Sequence, residues 1–171
     1  SDDGLEWSAA SFVQAGQYLG ACAFGFVDGT PTYVAVGWEG AILTSPDLDN
    51  WVSDEYIEPW PSFLYLFSVA HWNGRFVAVG YMSREYQDGP PPYWFAPAVL
   101  TSTDGVEWFT VDLPLNQMTF LYGLAAGDGG FVAVGVDEFD GDFHQGVVLK
   151  STNGVAWEVN RWDFPVGCVA W

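Results

Sequence analysis

Asp137, Asp140 and Asp142 fall within six residues, in the run Asp137-Glu-Phe-Asp-Gly-Asp142. Carboxylates at that spacing suit a hard cation such as calcium, which takes roughly six to eight oxygen ligands. An EF-hand-type loop would add a bidentate glutamate that is not suitably placed here, so a solvated acidic loop stands beside the calcium reading. A second group, Tyr93, Trp94 and Phe95, follows the stiff run Gly89-Pro-Pro-Pro92. Three aromatic rings held by prolines can stack on the face of a sugar or grip a peptide; the alternative is that they cover the edge of their own sheet. His71 and His144 have no second histidine or cysteine at ligand spacing, which argues against zinc. Acids are plentiful enough for a carboxylate-pair glycosidase, yet nothing singles out a pair.

The elements that would carry these groups repeat. Four times a serine is followed six residues later by a tryptophan: Ser1-Asp-Asp-Gly-Leu-Glu-Trp7, Ser45-Pro-Asp-Leu-Asp-Asn-Trp51, Ser102-Thr-Asp-Gly-Val-Glu-Trp108 and Ser151-Thr-Asn-Gly-Val-Ala-Trp157. Between them recur Tyr33-Val-Ala-Val-Gly37, Phe76-Val-Ala-Val-Gly80 and Phe131-Val-Ala-Val-Gly135. Units in fixed order at such spacing mark a repeat architecture. In phase, each unit reads as four strands. Strand A covers 19–24, 66–71, 121–126 and 166–171; strand B is the Val-Ala-Val-Gly segment, apolar on both faces and so expected to be buried on both.

Strand C is Ala41-Ile-Leu-Thr-Ser45, Ala98-Val-Leu-Thr-Ser102 and Val147-Val-Leu-Lys-Ser151, and strand D starts near each tryptophan. Asp104-Gly105 and Asn153-Gly154 are hairpin dipeptides, because glycine accepts positive φ and the Asx side chain bonds nearby amides. Trp7, Trp51, Trp108 and Trp157 are then structural anchors in equivalent inter-blade positions, each able to bury about 150–250 Å². Four-stranded antiparallel sheets repeated radially make an all-β propeller. The expectation is a single propeller segment over 1–171, with repeats at about 19–57, 66–112 and 121–163. It comprises three complete blades plus an orphan strand at each end, 5–10 and 166–171. Those orphan strands should be completed by polypeptide outside these 171 residues, as further blades of the same chain or a neighbouring copy.

The Ser-x-Asp-Gly-x-x-Trp turns after Val-Ala-Val-Gly strands resemble the Asp-box (bacterial neuraminidase repeat) propellers, over nearly the whole chain. Leu48 takes the glycine position in the second copy and Asn153 the acid position in the fourth. The resemblance implies propellers of six to eight blades, of which this would be a part. It also implies that Asp3, Asp47 and Asp104 are structural rather than catalytic. A sialidase-like site would need clustered arginines, and Arg75, Arg84 and Arg161 lie in different contexts.

Charge bounds the partners. Against 22 acids stand four bases, a formal net charge of −18. Nucleic-acid binding rests on clustered Lys and Arg, so it is excluded, as is docking on anionic lipid. Cys22 and Cys168 fall one position out of phase in strand A, which predicts two buried free thiols rather than a disulfide. The B–C loops vary most, and loops on a fixed scaffold carry recognition. The resulting expectation is a non-enzymatic recognition or scaffold propeller, extracellular or at a cell surface, with a protein or glycan ligand. No organic cofactor is implied. The rivals are a carbohydrate-active propeller, glycosidase or lectin, and a structural subunit of a larger assembly.

Overall fold

Each Val-Ala-Val-Gly segment is the second strand of a four-stranded antiparallel sheet, and three such sheets follow in sequence order among the described residues. The computed structural model describes residues 5, 18–53, 63–85, 93–115, 118–139 and 143–162. Blade one comprises β1 (Leu19–Val27), β2 (Thr30–Gly37), β3 (Ile42–Ser45) and β4 (Val52–Ser53). Blade two comprises β5 (Phe63–Trp72), β6 (Arg75–Glu85), β7 (Tyr93–Ser102) and β8 (Phe109–Thr110). Blade three comprises β9 (Thr119–Gly127), β10 (Gly130–Phe139), β11 (Phe143–Ser151) and β12 (Glu158–Trp162). Within each sheet the strands pair in chain order. The first strands β1, β5 and β9 touch across blades, which is the innermost position of a propeller. The fold is an all-β, three-bladed propeller arc. The expected end strands at 5–10 and 166–171 lie outside the described residues, Leu5 apart.

Alternation along the strands explains the packing. In β6, Phe76 and Ala78 enter one core with Val34, Val36 and Ile42 of blade one. Their neighbours Val77 and Val79 enter a second core with Leu121, Leu124, Phe131 and Ala133 of blade three. Both faces of the central blade are therefore dry, as its doubly apolar pattern requires. At about 25 cal/mol per Å², these two interfaces are the main stabilising feature of the arc.

The glycine closing each segment has a steric reason. A Cβ on Gly37, Gly80 or Gly135 would collide with the carbonyl of Tyr18, Tyr65 or Phe120 on the adjoining inner strand. Close by, each inner strand carries an extra residue: the register shifts between Leu19 and Ala21, between Leu66 and Ser68, and at Val134/Gly135. A bulge of this kind bends the strand and re-aims side chains. Only glycine lets the backbones approach closely enough.

Two expectations are corrected. Much of the B–C loop expected between Gly80 and Ala98 is strand, because β6 runs to Glu85 and β7 begins at Tyr93. Cys22 is a free thiol but an exposed one. It shares a side of β1 with Phe24 and Phe26, away from blade two, while Ala21 and Ala23 turn toward the core. Cys168 lies outside the described residues.

Candidate functional site: an aromatic platform at one end of the blades

The serine–tryptophan turns use their polar groups internally. Ser102 Oγ donates to the Asp104 carboxylate at 2.9 Å and accepts from the Gly105 amide at 2.8 Å. Asp104 accepts from the amides of Val106 and Glu107, both at 2.8 Å. Burial opposes ionisation of Asp104, but those amides and the Ser102 hydroxyl outweigh it and hold its pKa below the ordinary value. In the first blade the Asn50 amide leads the donors that bring Asp47 down to about 2. Asn153 does the same work without charge, accepting from Val155 and Ala156 at 2.9 and 2.8 Å. These groups are committed to structure. Trp108 is only 6% exposed in the core between blades one and two, and Trp157 packs against the core between blades two and three. Trp51, at the same place in blade one, is half-buried. Trp7 lies outside the described residues.

Asp137 is 4% exposed. Its carboxylate accepts from the Thr119 hydroxyl at 2.6 Å and from Arg161 Nε at 2.9 Å. Both oxygens are thus engaged by protein groups, tying β9, β10 and β12 together. Asp140 and Asp142 lie outside the described residues. Among the described residues, no three His, Cys, Asp or Glu side chains gather as a metal site would require. His71 sits between blades one and two, its ring 4.5 Å from Phe76, where burial lowers its pKa. His144 is the second residue of β11, and its side chain is not described.

A larger feature lies where β5, β7 and β9 begin and where β2 and β6 end. Tyr18 meets Trp38 at 5.0 Å between ring centroids, and Trp38 meets Tyr65 at 5.9 Å. Tyr65 stacks on Phe63 at 6.4 Å and on Tyr81 at 4.9 Å. Tyr81 continues to Phe67, Phe95 and Phe120. Phe67 reaches Tyr122 of blade three at 5.5 Å, and Phe120 stacks on Tyr122 at 6.4 Å. Nine rings from three blades form one continuous array. Tyr18, Trp38, Phe63 and Tyr122 are exposed, while the rings between them are half-buried.

The bulges build this array. Odd residues Phe63, Tyr65 and Phe67 leave the blade core that Leu64 and Leu66 enter. The bulge then places Phe67 against the next blade. Burial, with the neighbouring phenols Tyr65 and Tyr122, raises the Tyr81 pKa. The Tyr81 hydroxyl therefore remains a neutral donor and acceptor at ordinary pH.

Of the three aromatics singled out from sequence, Phe95 joins the array, 5.6 Å from both Tyr81 and Phe120. Tyr93 and Trp94 open β7, but their side chains are not described. The rest of the array was missed. Its signal is present, because an aromatic residue directly precedes the aligned leucine of each inner strand: Tyr18-Leu19, Tyr65-Leu66 and Phe120-Leu121.

Fold and site define a propeller segment with an aromatic end face. No family model matches the chain, and no curated protein does. Among solved structures it is similar to the GH32 β-fructofuranosidase BmSUC1 of Bombyx mori, at 13% identity over 85% of this chain and TM-score 0.46. It is similar also to a thermostable family-43 glycoside hydrolase, at 13% identity over 90% of the chain and TM-score 0.46. A third is an exo-1,5-α-L-arabinanase from a bovine ruminal metagenomic library, at 15% identity over 84% and TM-score 0.41. The chain spans 36%, 55% and 54% of their respective lengths. These likenesses concern the fold alone.

Proposed function

We propose that this segment recognises carbohydrate, with the nine-ring array as a stacking platform for sugar rings at an extracellular or cell-surface site. The observation that carries the reading is the continuity of the array across three blades at the B–C loop end. A pyranose or furanose ring presents an apolar C–H face and a polar rim. Aromatic faces match the first, and the phenols of Tyr18, Tyr65, Tyr81 and Tyr122 match the second. A neutral Tyr81 hydroxyl can both donate and accept, which suits a hydroxyl partner. The internally bonded serine–tryptophan turns support kinship with Asp-box propellers, in which the turns are structural.

Immobilised neutral, acidic and amino glycans, probed with the 171-residue chain, test the reading, with a reducing-end assay run alongside. Retention of a glycan class with no new reducing ends is the expected result. Release of reducing ends would make the protein a glycosidase. Retention of none would remove the carbohydrate reading altogether.

A further inference from the structure

The rings of the platform fall into sets, one to a blade. In blade one, the planes of Tyr18 and Trp38 lie 38° apart. In blade two, Phe63 is inclined 29° to Tyr65, and Tyr65 is inclined 28° to Tyr81. In blade three, Phe120 and Tyr122 differ by only 10°. Between sets the planes turn sharply: Trp38 meets Tyr65 at 72°, and Tyr81 meets Phe120 at 76°. Phe67 spans the second turn in two steps, tilted 39° from Tyr81 and 48° from Tyr122. Radial repetition rotates each blade relative to the last, and its rings go with it.

Every set has an exposed member. Tyr18 and Trp38 in blade one are 67% and 44% exposed, Phe63 in blade two 41% and Tyr122 in blade three 40%. A single sugar ring has one mean plane and lies flat on one set only. Contact with all three sets takes a chain of linked sugars in which each ring is turned against the next. The platform rings carry no charge, and their polar atoms are the phenol oxygens and the Trp38 indole nitrogen. Aromatic faces hold an apolar C–H face best where no axial hydroxyl interrupts it. Glucose, whose ring hydroxyls are all equatorial, presents the broadest such face.

We infer that the ligand is a neutral glucan whose backbone turns from ring to ring, laid across the blades with a stretch of chain on each set. The inference rests on the carbohydrate reading above and adds to it the shape of the chain. Linkage fixes that shape. A β-1,4 bond joins equatorial positions on opposite sides of the ring and gives a flat, extended ribbon. An α-1,4 bond leaves from an axial position, and a β-1,3 bond joins positions that are not opposite; both make the chain turn. A flat ribbon stacks on one set and meets its neighbours edge-on.

Cellohexaose, maltohexaose and laminarihexaose hold the same glucose units in these three linkages, so calorimetric titration of the 171-residue chain with each isolates shape. Maltohexaose or laminarihexaose should bind, and more tightly than cellohexaose. The preferred hexaose should exceed glucose by at least roughly tenfold, because linked contacts reinforce one another. Trp38→Ala and Tyr122→Ala remove exposed rings at opposite ends of the platform. Each should weaken hexaose binding while leaving the far-ultraviolet dichroism spectrum unchanged. Cellohexaose bound as tightly as the turning isomers overturns the inference, as does glucose bound as tightly as any hexaose, or a loss confined to one variant. Those three outcomes leave the carbohydrate reading in place. Failure of all three hexaoses to bind overturns the inference as well, and retention of no glycan on the immobilised panel then marks the fall of the wider reading.

Discussion

Trp108 donates its indole N–H to the Gly105 carbonyl at 3.0 Å, and Trp51 donates to the Leu48 carbonyl at 2.8 Å. The indole nitrogen of Trp157 is buried with no hydrogen-bond partner among the described residues. Equivalent places therefore differ in bonding. Trp108→Ala is expected to destabilise by about 3–5 kcal/mol, as removal of a large buried aromatic does. Trp108→Phe should cost more than Trp157→Phe, because only the former leaves a bonded carbonyl without its donor; denaturant midpoints of the two variants give the comparison. Asp47 and Asp104 have folded pKa values below the ordinary 3.8. The fold thus favours their ionised forms. Their contribution is complete above the unfolded pKa and is lost as pH falls through the folded one, which for Asp47 is about 2. Asp104→Asn, copying Asn153, should keep the turn and flatten the acid side of the stability–pH curve below the ordinary carboxylate value of 3.8. An unaltered acid limb would contradict this.

At the scale of the strands, the decisive piece is the glycine that ends each Val-Ala-Val-Gly segment. Gly80→Ala places a methyl against the Tyr65 carbonyl. We expect a loss of roughly 1–3 kcal/mol from overpacking, together with weaker glycan binding as Tyr65 and Tyr81 move apart. Substituting Gly74, whose Cβ meets nothing nearby, supplies the control, although its positive φ adds a strain of its own. Blade number, strand order and the buried faces of β6 were legible because alternation and a repeated turn fix them locally. The bulges were not legible, since an extra residue in one strand leaves no mark until its partner strand is known. That is why Phe67 and Tyr122 looked like ordinary strand residues. The length of β7 was hidden by Pro97 and the proline run before Tyr93, which read as loop although Pro97 lies within the strand. Asp137 looked like one member of an acidic trio, because its bond to Arg161 spans 24 residues of sequence.

Across the whole molecule, the net charge of −18 governs encounters. No salt-sensitive binding to DNA, RNA or anionic vesicles is expected at physiological ionic strength, where screening acts over about 8 Å. A retained fraction that falls with added salt would contradict this. With a net charge of −18 and an array of nine uncharged rings, stacking and hydroxyl contacts would be the means of holding the proposed neutral ligand. Nuclear magnetic resonance of the aromatic ring signals, titrated with the glycan that the immobilised panel selects, tests this most directly. The account predicts shifts concentrated on the rings of the array, led by the exposed Tyr18, Trp38, Phe63 and Tyr122 and by Tyr81 between them, with the Trp108 indole unmoved and Tyr81→Ala abolishing them. Shifts confined to other rings, or binding that survives Tyr81→Ala with the array signals still, would contradict it.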